Sequence, residues 1–163
     1  TYDPKAGKPF LHPGRQANVI YDGRVVGYLG EIHPQVADNY SIKERVYVAV
    51  IDMPEVVELA SFDRKYQGIA RFPAVSRDIS MVMPKEILAG EVEKVFDAKG
   101  GQYLESYALF DIYEGAQIKA GFKSLAYSLT FRARDKTLEE ADYAPAMDKI
   151  LKSLEAMGIE LRK

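Results

Sequence analysis

In the run KSLAYSLTFRA (123–133), every second residue from Leu125 to Phe131 is large and apolar: Leu125, Tyr127, Leu129 and Phe131. The residues interleaved with them are Ser124, Ala126, Ser128, Thr130 and Arg132. A period of two puts alternate side chains on opposite faces of a strand. One face of this strand is therefore a core face. The other is low and rich in hydroxyls, unlike the long charged residues that usually meet water. Such a strand is covered on one side only, which restricts the chain to two-layer architectures.

The neighbouring segments narrow the choice. ISMVM (79–83) reads as a strand, and residues 86–98 place Leu88, Val92, Val95 and Phe96 on one helical stripe. YLESYALFDIY (103–113) reads as a long strand, followed by the loop GAQIKAG (115–121). Thr137-Leu138-Glu139-Glu140 fits a capping box and predicts a helix from there to about Met157, closed by Gly158. Pro145 lies inside that helix and predicts a bend, because its ring displaces the carbonyl of Ala141. IELRK (159–163) reads as a last short strand. The order is βαββαβ. Right-handed crossovers then give an α+β unit: an antiparallel four-stranded sheet with two helices on one face.

Upstream, QANVIYDGRVVGYLGE (16–31) reads as a hairpin turning at Asp22-Gly23. A short helix is expected from Pro34 to about Tyr40 and a buried strand over RVYVAVID (45–52). PEVVELA (54–60) reads as a helix. Residues 61–73, SFDRKYQGIARFP, show no period and read as a linker. Three segments are therefore expected: an α/β piece over 1–60, the linker over 61–73, and the βαββαβ unit over 74–163.

Parity defines the uncovered face of that unit. With Ile79, Met81 and Met83 in the core, Asp78, Ser80 and Val82 point away from it. With Ala108, Phe110 and Ile112 as the core set of the next strand, Leu109, Asp111 and Tyr113 point away. Tyr113, Ser124, Ser80 and Asp111 then share one surface beside a basic stretch. That stretch carries Lys119, Lys123, Arg132, Arg134 and Lys136 against the single acid Asp135. An aromatic ring offers a base a surface to stack on, small neighbours let it approach, hydroxyls and a carboxylate meet base edges, and cations meet phosphates. Lys119, Lys123, Arg132 and Arg134 are the candidate phosphate contacts. A protein partner on this face, or a plain solvated face, fits the same parity, and Tyr113 taken alone reads as a packing residue.

The net charge of −2 excludes an extended phosphate-neutralising surface and leaves room only for a local nucleic-acid contact. Catalytic signatures do not stand out. His12 and His33 are each followed by Pro and read as structural, with no metal-ligand spacing around them. Neither a phosphate-binding glycine loop nor a nucleophile elbow occurs. No catalytic residue and no metal site is assigned. The absence of cysteine excludes disulfides and thiol chemistry and fits a cytoplasmic protein. No apolar run reaches the ~18 residues of a membrane helix, so no membrane association is expected. The first residue is Thr rather than Met, so a piece of a longer chain is expected.

Several runs taken together resemble a known family. RFPAVSRDISMVM (71–83), LFDIYEG (109–115), GFKSLAYSLTFR (121–132) and KTLEEAD (136–142) are similar to the C-terminal ferredoxin-fold anticodon-binding domain of bacterial phenylalanyl-tRNA synthetase beta subunits. FLHPGRQANV (10–19) and VGYLGEIHPQV (26–36) resemble the stretch before it, the end of a catalytic-like module with a degenerate class II synthetase fold. The resemblance implies a ferredoxin-like sheet whose open face holds a tRNA anticodon. By motif, Tyr113 would stack on an anticodon base, Ser124 and Ser80 would lie beside it, and Asp111 would share the face. It further implies an enzyme that charges phenylalanine tRNA using ATP and magnesium, working as an α2β2 tetramer with an alpha subunit. This piece itself would have no cofactor and no activity of its own. His12 and Arg15 would be structural or at the alpha interface. Ser76 stands where many relatives carry a second basic residue, which weakens a phosphate contact there. The alternative reading is a subunit-interface module with no direct RNA contact.

Overall fold

The computed structural model describes residues 1–66 and 68–162. The chain divides into two compact units, Thr1–Tyr66 and Gln67–Lys163.

The first unit contains β1 (Tyr2–Asp3), β2 (Leu11–Tyr21), β3 (Arg24–Ile32), α1 (Pro34–Asn39), β4 (Tyr47–Ile51) and α2 (Met53–Leu59). Its strands form one antiparallel sheet in the order β1-β2-β3-β4. The β2–β3 turn works as the sequence implies: Asp22 and Gly23 both adopt positive φ, 49° and 75°. This is the handedness that matches the twist of a two-residue hairpin. Both histidines act locally. His33 caps α1, its Nδ1 accepting from the Gln35 amide at 3.2 Å, and His12 Nδ1 accepts from the Gly14 amide at 3.1 Å. Glu31 is buried, and Arg15 Nη1 donates to both of its carboxylate oxygens at 2.9 Å.

The buried strand expected over 45–52 is a correction. β4 lies at the edge of the sheet, and Tyr47, Val50 and Ile51 are exposed. A β-branched run favours strand geometry, but it does not supply the layer that would cover it. Among the described residues of this unit, the buried large apolar side chains are two, Leu11 and Val26.

The second unit contains β5 (Val75–Pro84), α3 (Ala89–Lys99), β6 (Leu104–Tyr113), β7 (Phe122–Phe131), α4 (Glu140–Ala156) and β8 (Glu160–Leu161). The sheet order is β6-β7-β5-β8, antiparallel throughout. Ile79, Met81, Met83, Leu125, Tyr127, Leu129 and Phe131 line its inner face. Val92 and Phe96 of α3 and Tyr143, Ile150 and Leu154 of α4 pack onto them. Phe96 sits at the centre, its ring 5.1 Å from that of Tyr127 and 5.3 Å from that of Tyr107. Tyr127 is wholly buried and its hydroxyl donates to Glu93 at 3.0 Å. Burial, reinforced by that acidic partner, pushes the phenol pKa well above its ordinary value.

Both helix starts fall later than the sequence suggests. α3 begins at Ala89, with the Leu88 amide donating to the Glu91 carboxylate at 2.8 Å. Leu88 is thereby outside the buried stripe and exposed. Thr137 does not cap α4. Leu138 is drawn into the core, and the helix starts only after Glu139, whose amide donates to Asp142 Oδ2 at 2.9 Å. Lys136 pairs with the same carboxylate. α4 runs through Pro145 to Ala156, and Gly158 closes it at φ 75°.

Candidate nucleic-acid interface

The floor of the open face is set by β7, whose Ser124, Ala126, Ser128 and Thr130 alternate with the four core residues. Cross-strand partners in a sheet share a face. In β5, Val82 pairs with Ser124 and Ser80 with Ala126. In β6, Tyr113 pairs with Ser124 and Asp111 with Ala126. Register thus brings Tyr113, Ser124, Ser80 and Asp111 onto one surface, opposite the two helices.

β6 reaches that arrangement by a route the sequence does not reveal. Leu109 pairs with Tyr127 and packs on the core, as does Tyr107. The next paired residue is Asp111, opposite Ala126, so Phe110 is an extra residue inserted into β6. A bulge of this kind flips the parity of everything after it. The expected core set of Ala108, Phe110 and Ile112 is therefore corrected in part. Ala108 pairs with Ser128 on the open face, Leu109 belongs to the core, and Phe110 is exposed. Ile112 pairs with Leu125 on the helix side, though it too is exposed. Asp111 and Tyr113 are on the open face because the bulge restores the alternation. A second irregularity lies between Leu104 and Ser106.

Tyr113 has a shaped seat. A Cβ on Gly115 would lie 2.0 Å from the Tyr113 hydroxyl oxygen and 2.1 Å from its Cζ. Only glycine allows the phenol end to rest there. The Gly115 carbonyl also accepts from the Ile118 amide at 3.0 Å, closing a turn that carries Gln117. Among the described residues, no hydrogen bond or ion pair engages the Asp111 carboxylate, which leaves it free as an acceptor.

Sequence reasoning did not single out Arg162. Its amide donates to the Ser80 carbonyl at 2.8 Å, one step beyond the β5–β8 pairs Met81–Leu161 and Val82–Glu160. That register aims the side chain onto the open face. Its guanidinium carbon lies over the Tyr113 ring, 5.9 Å from the centroid, and Nη2 donates to Gln117 Oε1 at 3.1 Å. β6 and β8 are opposite edges of the sheet, so these side chains meet across β7 and β5. Ser124 and Ala126 lie on the face without helices, yet they are only 5% and 6% exposed. The face is thus roofed at this point by side chains, not bare. The signal in the sequence was the parity of IELRK, where Arg162 alternates with the apolar Leu161.

The four candidate phosphate contacts are dispersed. Lys119 Nζ sits 5.4 Å from the Phe122 ring centroid, in the loop after Tyr113. Lys123 pairs in register with Met83, on the helix side, and donates to the Lys85 carbonyl at 3.1 Å. Arg132 is held by Glu105 at 2.9 Å and by the Phe72 carbonyl at 3.2 Å. Arg134 lines, with Gln102, Tyr103, Glu105 and Arg132, a polar hollow of about 470 Å³ at the far end of β6 and β7. Of these four, Lys119 is the one that lies within the loop 115–121 that follows Tyr113. Among the described residues, no three His, Cys, Asp or Glu side chains are grouped to hold a metal ion, and no helix is long and apolar enough to cross a membrane.

A four-stranded face free of helices, with one seated aromatic, small neighbours and both helices behind it, is what residues 70–162 present, and these residues match the model of the ferredoxin-fold anticodon binding domain. The chain belongs to this family. Residues 1–53 match the phenylalanyl tRNA synthetase beta chain CLM domain. Relatives of the anticodon-binding domain and the segment before it extend over the whole chain. A phenylalanine–tRNA ligase beta subunit of Clostridium acetobutylicum is 43% identical over 99% of this chain and 21% of its own length. The corresponding subunit of Moorella thermoacetica is 42% identical over 100% of this chain and 20% of its own. That of Symbiobacterium thermophilum is 39% identical over 97% and 18%. The chain spans about a fifth of the length of these relatives.

Proposed function

We propose that the chain is the C-terminal part of a phenylalanine–tRNA ligase beta subunit, and that its second unit holds the anticodon loop of phenylalanine tRNA. The observation that carries this is the row of Tyr113, Ser124, Ser80 and Asp111 on one face, with Gly115 kept small to seat the ring. A flipped-out base stacks on Tyr113. Ser80, Ser124 and Asp111 meet its edge, and Lys119, in the loop after Tyr113, meets the backbone. Lys123, Arg132 and Arg134 have weaker claims as phosphate contacts, since each is engaged elsewhere or lies at the far end of the sheet. One stacked base contributes roughly 1 to 3 kcal/mol, so the rest of the enzyme supplies most of the affinity for tRNA.

In this reading residues 1–60 close the catalytic-like module, 61–73 link, and 74–163 bind RNA. The exposed apolar residues of the first unit, Tyr47, Val50 and Ile51 among them, favour a docking role for that unit, against the remainder of the subunit or the alpha partner of an α2β2 tetramer. ATP and magnesium are used by the whole cytoplasmic enzyme. Filter binding of a phenylalanine tRNA anticodon stem-loop to the intact enzyme, wild type against Tyr113→Ala, tests the proposal. Weaker binding by the variant is expected, and equal binding would favour the interface-only alternative.

A further inference from the structure

The contact of Arg162 with Tyr113 and Gln117 has a consequence for how the site opens. A guanidinium is flat and cationic, and it lies well on an aromatic face. A nucleobase is flat and takes the same kind of place. Two van der Waals contacts, ring to base and base to guanidinium, need roughly 7 Å. The observed separation is 5.9 Å. A base therefore cannot enter between the two groups as they stand. Arg162 is tethered from both ends: its backbone by the Ser80 carbonyl, and its side chain by Gln117 from the turn that Gly115 begins. Ser124 and Ala126 beneath are shielded.

We propose that Arg162 is a self-ligand of the site: in the free protein it occupies the Tyr113 ring, with Gln117 as its latch, and RNA binds only when this contact opens. The proposal rests on the anticodon reading given above. Gln117 is exposed and lies outside the base-contacting row, so loosening it changes the lid and spares the floor. When a binding-competent state is only partly populated, the apparent affinity falls by that fraction, and a change that raises the fraction tightens binding. If opening is fast, the gain appears in the association rate.

The test is stopped-flow association of the intact enzyme with a phenylalanine tRNA carrying a fluorescent base in the anticodon loop. Gln117→Ala should associate two- to fivefold faster than wild type, with the dissociation rate and the thermal midpoint unchanged. In a Tyr113→Ala background the same substitution should change nothing, because there is no ring left to cover. Equal or slower association by Gln117→Ala, alongside weakened binding by Tyr113→Ala, would overturn the latch and leave the anticodon site standing. A Tyr113→Ala enzyme that binds like wild type would instead remove the reading on which the latch depends.

Discussion

Gly115→Ala separates binding from folding more cleanly than a substitution of Tyr113 itself. The added methyl would sit 2.0 Å from the Tyr113 hydroxyl oxygen, 2.1 Å from Cζ and 2.7 Å from Cε2. Ordinary carbon contacts lie near 3.5 Å, so the phenol end must retreat by about 1.5 Å. The obstacle is the far end of one side chain, and its neighbours Arg162 and Gln117 are themselves exposed and can shift with it. Gly115 does not have a positive φ, so alanine carries no backbone penalty there. The expected change in stability is therefore small, within about 1 kcal/mol. Binding should respond differently. Loss of one stacked base is worth roughly 1 to 3 kcal/mol, or about 5- to 150-fold in Kd. Equilibrium binding of the anticodon stem-loop to the intact enzyme measures this, with a thermal melt beside it. Gly115→Ala combined with Tyr113→Ala should bind no more weakly than Tyr113→Ala alone, since both remove one interaction. Unchanged Kd with a lowered midpoint, or additive losses in the double variant, would refute the reasoning.

Other outcomes follow from the same structure. Phe96→Ala empties the centre of the helix-side core and should cost about 3 to 5 kcal/mol, read as a lowered urea midpoint of the second unit. The Lys136 ammonium, with the Glu139 amide, holds the Asp142 carboxyl below its ordinary range. A folded-state pKa that is depressed contributes stability that is fully present above the unfolded value and is lost as pH falls through the folded one. Asp142→Asn should therefore flatten the acid limb of the stability profile below about pH 4, as denaturant melts across that range would show. Arg134→Ala should lower the salt slope of tRNA binding by no more than roughly 0.7, the value for one single-strand phosphate. Arg132→Ala should mainly reduce stability, because its guanidinium already ties Glu105 and Phe72 together.

The βαββαβ order and the inner face were legible because apolar residues recur at strict periods in KSLAYSLTFRA and around Phe96. The open-face row was legible in β5 and β7 for the same reason. In β6 strict alternation assigns Asp111 and Tyr113 to the correct face and Ala108 and Leu109 to the wrong ones. A bulge at Phe110 is a register event, and YALFDIY contains no Gly or Pro to announce it. The Arg162 roof depends on which strand lies at which edge, so it needed the sheet order before it could be seen. The start of α4 was misjudged because a capping-box pattern at Thr137 competes with burial of Leu138, and burial prevails. In the first unit, the β-rich run of β4 showed the strand but said nothing of what covers it.

The most direct test of the account is a thermodynamic cycle between Tyr113→Ala and phenylalanine tRNAs made abasic at each anticodon position in turn, measured as Kd with the intact enzyme. If one base lies on that ring, removing either partner weakens binding, and at one position removing both costs little more than removing one. Losses that simply add at all three positions would contradict it.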